Sequence, residues 1–283
     1  MDVNWFPGHM AKTLRELKEH LKMVDLVIET CDARIPESSR NPELHRLLGQ
    51  KPLILVLNKA DLADPAATGR WITWYRQQGI IAIAADSIRR TGLQEIIKTC
   101  LAITQYKTER AIAKGRLFRP VRVLVAGIPN TGKSSLINGL CGRKIAKTAD
   151  KPGITRQLSW IKSGGQLELL DSPGVLWPRL GDERSKLNLA ATGAIRDELL
   201  PVEEITADAM LMLAHEYPDL LRERFKLDDL GSSGPDLLEQ AGRRRGCLLP
   251  GGRVDTMRFA TLFLDELRGG KIGRISLEVP PLD

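Results

Sequence analysis

VRVLVAGIPNTGKSSLI, residues Val121 to Ile137, reads as a short apolar strand, a turn bounded by two glycines and the start of an amphipathic helix. Between strand and helix, Gly127-Ile128-Pro129-Asn130-Thr131-Gly132-Lys133-Ser134 satisfies G-x-x-x-x-G-K-[ST], the context that a phosphate-binding P-loop requires. Gly127 and Gly132 let the backbone close on an anion with no Cβ in the way. The N–H groups from Asn130, Thr131 and Gly132 through Lys133 to Ser134 and Ser135 then face that anion from a helix N-terminus. Lys133 is placed to reach the β- and γ-phosphates, and the Ser134 hydroxyl to ligate Mg²⁺.

The neighbouring segments supply a sheet for this loop. Leu26 to Cys31, Pro52 to Leu57 and Ile80 to Ala85 are short apolar runs bounded by turns, hence buried strands, and helices are expected over Pro42 to Leu48, Ala66 to Gln78 and Leu93 to Ala113. After the P-loop helix, Gln157 to Lys162 and Leu167 to Leu170 flank Ser163-Gly164-Gly165 as a hairpin. Strands alternating with helices call for a mostly parallel, doubly wound sheet with ligands at the carboxyl ends of its strands. From about Arg179 the alternation stops. Lys186 to Glu198, Val202 to His215, Pro218 to Arg224, Pro235 to Arg245 and Arg253 to Arg268 read as helices, and Ile275 to Val279 as a short extended tail. The expected organisation is an α/β nucleotide-binding domain over residues 1–178 and a small all-helical C-terminal domain over 179–283.

Composition narrows the setting. The 283 residues are 42% hydrophobic and 27% charged, enough for two domains that each bury a core. Four cysteines stand far apart with no C-x-x-C pair, which points away from zinc and from a disulfide framework and towards a reducing cytoplasm. No apolar run approaches the roughly 20 residues of a membrane span, and MDVNWFPGHM is neither a signal nor a transit peptide. The net charge of +7 is unevenly spread: residues 1–178 hold 27 Lys+Arg against 16 Asp+Glu, whereas residues 179–283 hold 15 against 19. A polyanion is therefore expected to meet the first part broadly and the second only at clusters such as Arg243-Arg244-Arg245.

Three further motifs belong with the P-loop. Asn58-Lys59-Ala60-Asp61 matches N-K-x-D, whose carboxylate accepts from two donors on the guanine edge; adenine would leave Asp61 unpaired, so such a site rejects it. Asp171-Ser172-Pro173-Gly174 matches D-x-x-G, with Asp171 in the Mg²⁺ shell and Gly174 offering its N–H to the γ-phosphate. Thr155, between the P-loop helix and the hairpin, is the candidate sensor of γ-phosphate and Mg²⁺. Asp86-Ser87, at the end of the third strand, stands where a Ser-Ala-Lys turn would commonly meet guanine O6.

The motifs come in an unusual order: guanine reading first, then P-loop, Thr155 and D-x-x-G. Ras-like GTPases start with the P-loop and end with guanine recognition, so this is a circularly permuted Ras-like arrangement. Together with Trp5-Phe6-Pro7-Gly8-His9-Met10, Asp32-Ala33-Arg34-Ile35-Pro36 and Gly270-Lys271-Ile272-Gly273-Arg274, it resembles the YlqF/RbgA family of ribosome biogenesis GTPases over nearly the whole chain. The resemblance implies GTP hydrolysis in maturation of the large ribosomal subunit, with GTP or GDP, rRNA and ribosomal proteins as partners and a monomeric protein. Catalysis departs from Ras, because Val175 after D-x-x-G cannot orient water as glutamine would. His9 is the candidate that positions water, Asn130 resembles the asparagine that holds K⁺ in potassium-activated GTPases, and a ribosomal group could complete the site in trans; a core or surface histidine is the other reading of His9. Two other functional classes stay open at this point: an RNA-binding scaffold that needs GTP bound but not cleaved, and an ATP-dependent P-loop enzyme.

Overall fold

The computed structural model describes residues 17–143, 159–163, 165–172, 182–231 and 233–281. These fall into two units, one formed by residues up to 172 together with 276–281, the other by residues 182–275.

The first unit is a six-stranded sheet: β1 (Leu26–Asp32), β2 (Leu53–Asn58), β3 (Ile81–Ala85), β4 (Val121–Ala126), β5 (Ser159–Lys162) and β6 (Leu167–Asp171), in the order β3-β2-β1-β4-β6-β5. Every neighbouring pair is parallel except the β5/β6 hairpin. From β1 the chain runs to β2 and β3 on one side, then returns to β4 and continues to the other side. The order therefore reverses between β1 and β4, at the switch point where α/β sheets bind ligands. Helices α1 (Pro42–Leu48), α2 (Pro65–Gln77), α3 (Leu93–Ala113) and α4 (Lys133–Cys141) connect the strands. Asn41 and Asp64 cap α1 and α2 through their side-chain oxygens, each followed by a proline whose missing N–H costs nothing in a first turn.

Both faces of the sheet are covered, which is why its strands read as continuous apolar runs. Ile28, Ile54, Val56, Val123 and Val125 pack under Ile96 and Leu136 on one face. On the other, Val27 and Leu124 meet Leu44 and Leu48, and Leu55 and Leu57 meet Trp71 and Tyr75. Each such side chain gains about 1.5–3 kcal/mol by leaving water.

The second unit holds α5 (Glu183–Ala191), α6 (Val202–Glu216), α7 (Pro218–Phe225), α8 (Gly234–Arg244) and α9 (Thr256–Arg268). Phe225 packs its ring 5.5 Å from Phe259 and 5.7 Å from Phe263 at the centre. Two expected helices are shorter than the sequence pattern suggests. The segment Lys186 to Glu198 breaks after Ala191, where Gly193 turns at φ +76° and Arg268 clamps the exit by donating to both oxygens of Asp197 at 2.7 Å. The last helix starts at Thr256 rather than Arg253, because Val254 pairs with Leu248 as an extended bridge and Asp255 supplies the cap.

The closing segment, expected as a short extended tail over Ile275 to Val279, groups from Ser276 with the α/β unit. Leu277 donates its N–H to Arg34 O at 2.8 Å, and Trp71 Nε1 donates to Glu278 O at 3.2 Å. The Glu278 carboxylate accepts from the N–H groups of Glu37 (2.8 Å) and Ser38 (3.1 Å) and from the Ser38 hydroxyl.

Candidate nucleotide-binding site

The carboxyl ends of the parallel strands β1, β2, β3, β4 and β6 lie on one rim. Asn58, the last residue of β2, joins three of these loops. Its Nδ2 donates to Thr131 O in the P-loop at 2.9 Å, and its Oδ1 accepts from Ser87 Oγ at 2.6 Å and Ser87 N–H at 3.3 Å. Residues 58, 87 and 131 thus meet through one buried amide.

The P-loop is tied to β1 as well. Thr131 is buried, donates its hydroxyl to Ile128 O at 3.0 Å and meets the Thr30 hydroxyl at 2.8 Å. Its side chain therefore shapes the loop from inside and leaves its backbone to face a ligand. The two glycines have steric reasons of their own. A Cβ on Gly127 would lie 2.4 Å from Thr30 Oγ1, and one on Gly132 would lie 2.2 Å from Asn58 Nδ2. Asn130 sits in the left-handed region at φ +61°, and Ser134 and Ser135 occupy the first turn of α4, half-buried.

Lys133 is folded into the loop, its Nζ donating to Ile128 O at 2.9 Å. Burial pushes its ammonium down to about 8, against the opposing pull of the Asp171 carboxylate. A buried cation in the first turn of a helix calls for an anion. Asp171 ends β6 opposite Val125, and Ser172 beside it fastens that turn to the P-loop strand, its Oγ donating to Val125 O at 2.9 Å. The Ser134 hydroxyl and the Asp171 carboxylate are hard oxygen donors of the kind Mg²⁺ takes, so the residues present fit that ion.

Lys59 adopts φ +59°, and its ammonium lies 3.1 Å from Asp32 Oδ2. Asp32 is itself held by Arg34, whose Nε and Nη2 donate to its two oxygens at 2.9 and 2.8 Å. Burial works to raise the Asp32 carboxyl, but the charges of Arg34 and Lys59 outweigh it and keep the group well below the usual carboxylate range. Asp61, two residues on, is half-buried and has no hydrogen-bond or ion-pair partner among the described residues. Asp86 serves its own turn: its N–H and C=O pair with Thr91, and its Oδ1 caps the N–H groups of Ile88 and Arg89 at 2.9 Å. With Ser87 engaged by Asn58, this turn braces the rim. His9, Thr155 and Gly174 lie outside the described residues.

Sequence reasoning did not single out Thr30, and it quoted Asp32 and Ser172 within motifs without giving either a role. The first two stand at the end of β1, a strand with no nucleotide motif of its own, and only its pairing with β4 and β2 brings them here. All three members of the cluster Arg243-Arg244-Arg245 are ion-paired, with Glu239, Asp228 and Glu266 in turn, and Arg244 and Arg245 line a cavity of about 500 Å³ in the helical unit together with Glu223, Arg224, Lys226 and Lys271.

Residues 122–230 match a family model described as 50S ribosome-binding GTPase. Ribosome biogenesis GTPase A of Bacillus cereus is 44% identical over 99% of this chain and 95% of the relative, and that of Priestia megaterium is 45% identical over 99% and 98%. Among solved structures, GDP-bound TM YlqF superposes with a TM-score of 0.67 at 28% identity, over 94% of this chain and 99% of that one. GNP-bound YlqF from Thermotoga maritima gives 0.65 at 27%, over 95% and 98%.

Proposed function

Because the chain belongs to the YlqF/RbgA family of ribosome biogenesis GTPases, we propose that it cleaves GTP as a switch that times a step in maturation of the large ribosomal subunit. The observation that carries this reading is the Asn58 side chain, which binds the P-loop and the turn after β3 at once. Asn58, Lys59 and Asp61 read the guanine, with the Asp61 carboxylate accepting from its two edge donors. Asn130 to Ser135 cradle the phosphates, and Lys133 gives up its bond to Ile128 O to meet them. Gly174 offers its N–H to the γ-phosphate.

Ser134, Thr155 and Asp171 would hold Mg²⁺, whose charge offsets that of the phosphates. Val175 leaves the attacking water without a glutamine, and His9 takes that positioning role. Asn130 is the residue that would hold K⁺ beside the phosphates, where a cation substitutes electrostatically for an arginine finger. The chain works in the cytoplasm as a monomer; among the described residues no helix is long and apolar enough to cross a membrane.

The segment that follows Asp171 leads in sequence into the helical unit, so loss of the γ-phosphate is passed along the chain to that unit. Turnover is slow in the free protein and is stimulated by its ribosomal partner. Steady-state GTP hydrolysis with and without purified large subunits, in potassium and in sodium, tests this. The expected result is a rise of tenfold or more on adding subunits, larger in potassium; equal rates with and without subunits would refute it.

A further inference from the structure

At the amino end of the sheet, opposite the nucleotide rim, one carboxylate gathers more positive charge than it can neutralise. Asp25 stands just before β1, Lys51 just before β2 and Arg119 just before β4, and these strands are parallel, so all three share one end. Lys107, on α3, donates to Asp25 Oδ1 at 2.5 Å, and Arg119 donates to both Asp25 oxygens at 2.9 Å. Lys51 donates to Val24 O at 2.6 Å, and its ammonium is lowered by burial and by the nearby charge of Lys107. Three cations thus surround one buried anion.

The excess extends along α3 and the segment after it. From Lys98 to Arg122 there are seven cations and a single acid, Glu109, which accepts from Gln105. Arg110, Lys114 and Arg116 are exposed and have no ion-pair partner among the described residues. Large side chains are exposed among them: Tyr106 is 74% exposed, Phe118 61% and Leu117 93%. Because Lys107 and Arg119 meet on Asp25, their neighbours Tyr106 and Phe118 come to the same end of the unit. Packing does not call for aromatic rings in water beside unneutralised cations. A strand of unpaired bases linked by phosphates is complementary to both.

We propose that this end of the α/β unit is a binding surface for single-stranded RNA, with phosphates on Lys51, Lys107, Arg110, Lys114 and Arg116 and bases stacked on Tyr106 and Phe118. Strands of six and seven residues put about 20 Å between this surface and the nucleotide loops, so none of its side chains touches the nucleotide. The inference rests on the ribosomal reading for the identity of the RNA, and not for the binding itself.

The test uses the full chain, a fluorescein-labelled oligouridine of about 12 nucleotides and fluorescence anisotropy, with GDP and with a non-hydrolysable GTP analogue. Wild type is expected to bind equally in both states. The pair Tyr106→Ala and Phe118→Ala weakens binding about tenfold or more while leaving the salt dependence unchanged. The pair Lys114→Gln and Arg116→Gln lowers the slope of log affinity against log salt by about 1.4. Both variants keep the wild-type melting curve and RNA-free GTP turnover. Oligonucleotide binding as tight as wild type in the aromatic variant overturns the surface, as does cross-linking of this face to a ribosomal protein instead of rRNA in purified large subunits. If the wild-type chain fails to sediment with large subunits but still binds the oligonucleotide, the ribosomal reading falls and the surface stands.

Discussion

Both polar ends of the Asn58 side chain are committed to other loops, one to Thr131 and one to Ser87. Asn58→Ala releases the P-loop from the guanine side of the rim, and affinity for a fluorescent GDP analogue should fall at least tenfold, about 1.4 kcal/mol. Asp25 illustrates a different residue-level effect. Burial raises its carboxyl, but hydrogen bonds from Arg119, Lys107 and the Arg122 N–H prevail and hold it down to about 2, against 3.8 in the unfolded chain. A group depressed on folding stabilises the native state above its unfolded value, and that contribution disappears as pH falls through its folded value. Asp25→Asn should therefore cost about 1–2 kcal/mol at neutral pH, after allowance for screening by solvent. In urea titrations the gap to wild type should close between about pH 4 and pH 2.

At the scale of elements, Gly92 fixes where α3 begins. It sits at φ +79°, and a Cβ there would lie 2.3 Å from Ala84 O at the end of β3. Gly92→Ala must push β3 and α3 apart, and the melting temperature should drop by several degrees, equivalent to about 1–3 kcal/mol. Gly115→Ala, with open space around it at φ +75°, bears only the backbone penalty and serves as the control. The strands and helices around these points were legible because their signals are local. PLILVL reads as a buried strand and Pro42 to Leu48 as a helix, whatever lies nearby. The break after Ala191 was not legible, since it depends on Arg268, which approaches from 71 residues away to hold Asp197. In the site, Asn58, Gly132 and Lys133 announced themselves by motif, whereas Thr30 and Asp32 act only through strand pairing that periodicity does not reveal.

For the whole molecule, the route of the chain matters as much as its two cores. Among the described residues, the α/β unit runs to Ser172, five α-helices of the other unit follow, and from Ser276 the chain is again part of the α/β unit, against Arg34, Ser38 and Trp71. In sequence, the helical unit is thus inserted between two stretches of the α/β unit. A protease site engineered between 173 and 181 would sever one connection and leave the other, so the nicked pieces should co-elute in gel filtration and part only in denaturant. Removing residues 276–283 beforehand takes away the hydrogen bonds of Leu277 and Glu278, so the nicked pieces should part at a lower denaturant concentration.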